Sequence, residues 1–119
     1  MEFYCKGTKP VFYNNSTFLC VIFCGCDFNC VYCYNGSILK FKSDFLTKIT
    51  DIKESIKKTK FQNILFAGAE PCLQRQALLN LARHSKKLNK NTCLSTNGSS
   101  PSCINSLVKE KLIDHFYFD

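Results

Sequence analysis

Short apolar runs alternate with stretches of helical periodicity over most of this sequence. The strand-like runs cover residues 18–23, 63–67, 92–95 and 113–118, and residues 92–95 are assigned mainly because the alternation requires a strand there. The run 18–23 is continuous, which is typical of a strand that is buried on both faces of a sheet. The order β-α-β-α-β-α-β therefore predicts an α/β fold, with a parallel sheet of about four strands and three right-handed crossover helices.

The three helices are predicted from apolar residues that recur every three or four positions. Ser43 is the expected N-cap of the first helix, and Ser100 with Pro101 is expected to begin the third. Residues 3–5 and 11–13 are predicted to pair as an N-terminal hairpin within 1–13. The apolar positions are Phe45, Leu46, Ile49, Ile52 and Ile56 in the first helix, Leu73, Ala77, Leu78, Leu81, Ala82 and Leu88 in the second, and Ile104, Leu107, Val108 and Leu112 in the third.

Three cysteines follow the first predicted strand at the spacing C-x3-C-x2-C. They are Cys26, Cys30 and Cys33, with Tyr32 directly before the last. Thiolates are the soft anionic ligands that iron–sulfur clusters require, and three of them leave one iron of a [4Fe–4S] cluster open. An open iron can bind a substrate or cofactor directly. Two alternatives use Cys24 as a fourth ligand, in a structural zinc site or in an electron-transfer iron–sulfur protein.

Two further motifs follow the second and third predicted strands. The first is Gly68-Ala69-Glu70-Pro71, and the second is Ser95-Thr96-Asn97-Gly98. Because ligands collect at the carboxyl ends of parallel strands, these two loops and the cysteine loop are expected to lie at one edge of the sheet. With these motifs in this order, the sequence resembles the radical S-adenosylmethionine superfamily, and Ala69 stands where that superfamily has a second glycine.

The resemblance implies a [4Fe–4S] cluster held by the cysteine triplet and S-adenosylmethionine bound at the open iron. No catalytic side chain beyond the cluster ligands is implied. Glu70 is expected to accept a hydrogen bond from the ammonium group of the cofactor. The alternatives are a solvated loop carboxylate and a charge near the N-terminus of the following helix. The implied cofactor-binding residues are Tyr32, Gly68, Ala69, Glu70, Pro71, Ser95, Asn97 and Asp119.

Within the superfamily, the sequence is most similar to the activating enzymes of glycyl-radical proteins, above all the activator of anaerobic ribonucleotide reductase. This similarity implies cleavage of S-adenosylmethionine to a 5′-deoxyadenosyl radical, which then takes hydrogen from a glycine of the partner protein. The implied partners are a glycyl-radical enzyme and an electron donor such as flavodoxin or ferredoxin. The alternative within the superfamily is an enzyme that acts on a small molecule or on RNA.

The chain length limits how much of such a fold can be present. With 119 residues the sequence is expected to form a single domain, shorter than the ~200 or more residues of a complete α/β barrel. The predicted fold is therefore a partial barrel whose last strand leaves an open edge. We expect a C-terminal part outside this sequence, or an oligomeric partner, to cover that edge.

Composition indicates the compartment and limits the partners. No apolar run reaches the ~20 residues of a membrane span, and nine cysteines without a recognisable signal peptide favour the reducing cytoplasm. The net charge of +7 comes mainly from lysines on predicted helix faces, so nucleic-acid binding is not expected. Cys20 and Cys93 are predicted to be buried thiols, whereas ligand or redox roles stay open for Cys24 and Cys72.

Overall fold

A computed structural model describes residues 1–13, 15–24 and 46–118 of the chain. In these ranges, three helices and six strands form one α/β unit, with the strand order β3-β1-β2-β4-β5-β6. A 3-10 turn, Pro71–Gln74, precedes the second helix. The elements are β1 Glu2–Tyr13, β2 Ser16–Phe23, β3 Leu46–Lys48, α1 Ile49–Lys58, β4 Asn63–Gly68, α2 Arg75–Lys87, β5 Asn91–Thr96, α3 Pro101–Lys109 and β6 His115–Phe118.

The four strands β2, β4, β5 and β6 are parallel to one another. Successive pairs are connected through α1, α2 and α3, which confirms the predicted α/β fold and its strand–helix order. Strands β1 and β3 extend the sheet on the other side of β2 and run antiparallel to their neighbours. None of the helices in the described ranges is long and apolar enough to cross a membrane.

The core lies between the sheet and the helices. Alternate residues of the central strands, such as Val21, Phe66 and Leu94, point into it and are fully buried. Side chains of this size each contribute roughly 1.5–3 kcal/mol when they are buried. The helices add Ile49, Ile52, Ile56, Leu78, Leu81, Ala82, Cys103 and Leu107 to the same core.

The N-terminal prediction of a hairpin within residues 1–13 is wrong. These residues form the single strand β1, which pairs with β2 from Tyr13↔Ser16 to Cys5↔Phe23. Gly7 has φ of +115° and lies at a register shift between Cys5 and Gly7. The glycine therefore accommodates a bulge in a continuous strand, where the sequence had suggested a turn.

Three apolar positions assigned to helix stripes are exposed. Leu46 lies before α1, in β3, where it pairs with Tyr4. Leu73 lies in the 3-10 turn, whose three residues per turn shift the apolar phase. Val108 is exposed because the buried side of α3 is centred on Cys103 and Leu107. Ser43 is not the N-cap of the first helix, because α1 begins at Ile49 with Lys48 as its N-cap. Phe45 lies outside the described residues. Ser100 does precede α3 but makes no side-chain capping hydrogen bond.

Candidate functional site

The carboxyl ends of β2 and β4 lie side by side at one edge of the sheet. Phe23 pairs with Gly68, and the Ala69 N–H donates to the Phe23 carbonyl at 2.9 Å. The segment that carries the cysteine triplet follows β2 directly. Cys26, Cys30, Cys33 and Tyr32 themselves lie outside the described residues, as does Asp119. The structure therefore defines the position from which the cysteine segment leaves the sheet.

Gly68 permits the close approach of β4 to β2. Its φ is +114°, and a Cβ atom at this position would lie 2.3 Å from the Phe23 carbonyl oxygen and 2.6 Å from its nitrogen. Any side chain here would collide with the backbone of a central strand. Ala69, in contrast, is outside the left-handed region of backbone conformation, so its methyl group causes no such strain.

The Glu70 carboxylate connects the loop after β4 to the loop after β5. It is fully buried and accepts hydrogen bonds from the Cys72 N–H at 2.9 Å, the Thr96 hydroxyl at 2.7 Å and the Asn97 N–H at 2.6 Å. Hydrogen bonds to a charged group contribute about 1.5–3 kcal/mol each. Glu70 is therefore not the solvated loop carboxylate of the alternative interpretation, because it is a buried connector between two strand ends.

The loop after β5 is shaped by short-range hydrogen bonds. The Asn97 side-chain oxygen accepts from the Ser99 N–H at 2.9 Å, and the Thr96 hydroxyl accepts from the Gly98 N–H at 3.2 Å. Gly98 has φ of +77°, which the turn requires. Pro71, at the start of the 3-10 turn, is buried. The predicted motifs at residues 68–71 and 95–98 therefore lie together at one edge of the sheet.

Ser95, directly before Thr96 in β5, lines a cavity of about 550 Å³ that is formed by residues of β1, β4, β5 and β6. The rings of Tyr13 and Tyr117 meet edge to face there, with their centroids 5.7 Å apart. The cavity is lined by Val11, Tyr13, Leu65, Ala67, Ser95, Phe116, Tyr117 and Phe118. An aromatic, mostly apolar lining of this kind suits a small organic ligand.

Sequence analysis did not identify several of these residues. Thr96 was quoted only as part of a turn, and its hydroxyl donates to Glu70. The aromatic residues Tyr13 and Tyr117 could have been found from the two-residue alternation of strands, which places every second side chain on the face away from the core. Gln74, in the turn that follows Glu70, was also not predicted, and its side chain is hydrogen-bonded to the backbone of Tyr4.

The six cysteines in the described ranges are free and buried. For Cys20 and Cys93 this confirms the predicted burial, which raises the pKa of Cys20 to about 11. Cys72 lies beside Cys103, and the hydrogen bond between them raises the pKa of Cys72 and lowers that of Cys103. Cys24 is fully buried at the end of β2. No three metal-ligating side chains of the described part are grouped closely enough to hold a metal ion.

Comparison with known proteins identifies the family. The 4Fe–4S single cluster domain family matches residues 15–118. The chain belongs to this family. The match covers the cysteine triplet and both downstream motifs, and it supports the resemblance to the radical S-adenosylmethionine superfamily.

Two similar proteins extend this finding. A candidate glycyl-radical enzyme activating enzyme of Methanocaldococcus jannaschii is 35% identical over 98 residues, which are 80% of this chain and 39% of that protein. QueE from Escherichia coli has the same fold over 83% of this chain and 54% of its own, with a TM-score of 0.72 and 14% identity. The fold is thus a partial radical S-adenosylmethionine α/β fold, and the chain spans less than two thirds of either relative.

Proposed function

We propose that this chain forms the cluster-binding part of a radical S-adenosylmethionine enzyme that installs a glycyl radical on a partner protein. The observation that carries the proposal is the shared edge: the segment with C-x3-C-x2-C leaves β2 beside Gly68, and buried Glu70 holds the neighbouring loop at Asn97. In a parallel sheet this edge is where ligands bind.

The donor set fits a [4Fe–4S] cluster with one open iron. Cys26, Cys30 and Cys33 would hold three irons, and thiolate is the ligand type that these clusters take. When bound, the reduced cluster and S-adenosylmethionine supply a 5′-deoxyadenosyl radical. The family match over residues 15–118 supports an iron–sulfur cluster, and the resemblance in the motifs supports the second cofactor.

The residues of this chain would bind and orient the cofactor. Three hydrogen bonds leave the Glu70 carboxylate about one lone-pair direction for an ammonium group. Gly68, Ala69 and Pro71 would shape the loop around the methionine moiety. Tyr32, Ser95, Asn97 and Asp119 would contribute to the rest of the cofactor site, with Ser95 reaching it from the aromatic cavity.

The radical acceptor is proposed from the named relative. Its name as a glycyl-radical enzyme activating enzyme supports a protein glycine as substrate, in a partner such as anaerobic ribonucleotide reductase. A small electron carrier, flavodoxin or ferredoxin, would reduce the cluster in the cytoplasm. The chain spans 39% of that relative, so the partner of the whole relative is carried over here as a proposal.

Anaerobic reconstitution with iron and sulfide tests the cluster and the cofactor together. We expect iron and sulfide to bind in equal amounts and the electron paramagnetic resonance signal of the reduced cluster to change when S-adenosylmethionine is added. Each of the variants C26S, C30S and C33S should lose the cluster, whereas C20S, at a buried strand position, should keep it. C24S should also keep it.

Three results would count against the proposal. One equivalent of zinc without sulfide would identify a structural zinc site. Loss of the cluster in C24S would indicate four cysteine ligands and an electron-transfer protein. A fully loaded cluster whose signal does not respond to S-adenosylmethionine would exclude the open iron.

A further inference from the structure

The side chain of Gln74 makes three hydrogen bonds to the backbone of β1 and β2. Its Oε1 accepts from the Tyr4 N–H at 2.7 Å, and its Nε2 donates to the Tyr4 carbonyl at 2.8 Å and to the Cys24 carbonyl at 3.2 Å. Both ends of the amide are therefore used. Tyr4 lies in β1, and Cys24 is the residue directly after β2.

These hydrogen bonds are made where regular strand pairing ends. The pairing of β1 with β2 shifts between Cys5 and Gly7 and stops at Cys5↔Phe23. Beyond it, the Cys24 N–H donates to the Tyr4 carbonyl at 3.1 Å, and Gln74 donates to the same carbonyl. The side-chain amide of Gln74 thus connects β1 to the backbone of Cys24, beyond the last regular pair of β1 and β2. It holds the first residue after β2 in place.

Gln74 is itself held by the other strand ends. It closes the 3-10 turn Pro71–Gln74, whose N-cap is Glu70, and the Glu70 carboxylate accepts from the Cys72 N–H within this turn. Glu70 also accepts from the Asn97 N–H of the loop after β5. The five residues 70–74 therefore connect three places on the edge: the exit of β2, the end of β4 and the loop after β5.

We propose that Gln74 is a positioning residue for the cysteine triplet. By holding the Cys24 carbonyl, it orients the chain two residues before Cys26, the first cysteine of the triplet. The inference rests on the proposed function, because it assigns Gln74 a role only if the triplet binds a cluster. Direct hydrogen bonds to metal-ligating side chains are worth about 10–100-fold in metal affinity, and because Gln74 acts through the backbone, the lower end of that range is the effect expected here.

The substitution Gln74→Glu tests the orientation with almost no change in shape. The carboxylate can still accept from the Tyr4 N–H, but its second oxygen would face the Tyr4 and Cys24 carbonyls, which it repels. Gln74→Met keeps the length of the side chain and removes all three hydrogen bonds. Gln76→Glu is the matched control, because it makes the same chemical change at an exposed position of α2 two residues away.

The experiment compares reconstituted wild type with these three variants. We expect Q74E and Q74M to release iron to a chelator about tenfold faster than wild type and to show an altered electron paramagnetic resonance line shape, while Q76E matches wild type. The thermal unfolding of each cluster-free variant is measured in parallel. Cluster-free Q74E and Q74M should stay folded at the temperature of the release assay.

The outcomes separate this inference from the proposed function. If wild type itself binds no cluster, the proposed function fails and the inference fails with it. If wild type binds a cluster and Q74E and Q74M release iron at its rate with an unchanged signal, only the role of Gln74 is overturned. A cluster-free Q74E and Q74M that are both unfolded at the assay temperature would show a purely structural role and would also overturn it.

Discussion

Two carboxylates connect β5 to its neighbours, one at each end of the strand. Glu70 holds the loop after β5 from the end of β4, and Asp114 accepts from the Thr92 N–H at 2.8 Å at the start of β5, directly before β6. Asp114 is also paired with Lys86, and its side chain is 48% exposed. Glu70 is fully buried, and none of the ion pairs formed by the described residues involves it.

The two carboxylates therefore differ in burial and in the kind of partner that holds them. At Asp114, a lysine and water balance the charge, which is the usual arrangement for a carboxylate near the surface. At Glu70, hydrogen bonds from Cys72, Thr96 and Asn97 hold the carboxylate in the interior, and no cationic side chain of the described ranges pairs with it. The carboxyl edge of the sheet is therefore the end that would favour a cationic ligand, as the ammonium and sulfonium groups of S-adenosylmethionine are.

Removing Glu70 should have the largest effect on stability. In Glu70→Ala the Cys72 and Asn97 N–H groups and the Thr96 hydroxyl lose their acceptor, and we expect a loss of about 3–5 kcal/mol in the free energy of unfolding. Urea denaturation of the cluster-free protein measures it. The control Glu54→Ala removes an exposed carboxylate of α1 and should cost less than about 1 kcal/mol. An equal, small loss in both variants would contradict the connecting role of Glu70.

Removing the charge of Asp114 should have a smaller effect. Asp114→Asn weakens the hydrogen bond to the Thr92 N–H and the pair with Lys86, and we expect a cost of about 1 kcal/mol at neutral pH because the site is partly exposed. The same urea titration gives this value. A loss as large as that of Glu70→Ala would remove the distinction between the two ends of β5.

The smallest expected effect is a pH dependence in the contribution of Asp114 to stability. Burial works to raise the pKa of the Asp114 carboxyl, but Lys86 and the Thr92 hydrogen bonds outweigh it, so the pKa lies below its ordinary value. A carboxyl group whose pKa is lowered by folding stabilises the folded state at pH values above its unfolded pKa of about 3.9. This stabilisation is lost as the pH falls through the folded pKa. The difference between wild type and Asp114→Asn should therefore shrink below about pH 4, as measured by urea denaturation at several pH values. A difference that grows on acidification would be inconsistent with this sign.

Much of the fold could be predicted because its first two parallel strands carry apolar residues on both faces, even though in β4 only Ile64 and Phe66 are buried. The run 18–23 is apolar throughout and 64–67 is apolar after Asn63, and these residues lie in β2 and β4. Strand β3 was missed because its three residues, Leu46–Lys48, are half-exposed and are recognisable only from their pairing with β1. The 3-10 turn after Glu70 could not be predicted from apolar spacing, so Leu73 was assigned to the wrong surface.

The parts of the candidate site that lie in sequence motifs could be predicted, and the contacts between residues distant in sequence could not. The loops at Glu70 and Asn97 follow strands in a recognisable order, and the structure brings them together. The contacts of Gln74 with Tyr4 span 70 residues, and no local pattern predicts them. The cysteine triplet lies outside the described residues, so its assignment as a cluster site depends on its spacing and on the family match.

The contact between Gly68 and Phe23 also limits how this sequence can diversify. Strand β4 can approach β2 this closely only if position 68 has no side chain, whereas position 69 already carries a methyl group in an ordinary backbone conformation. In a library that samples every amino acid at both positions, selection for the folded state should retain glycine alone at position 68 and several small residues at position 69. Ala69, which stands in place of a second glycine, therefore lies at the one of the two positions where the structure tolerates substitution.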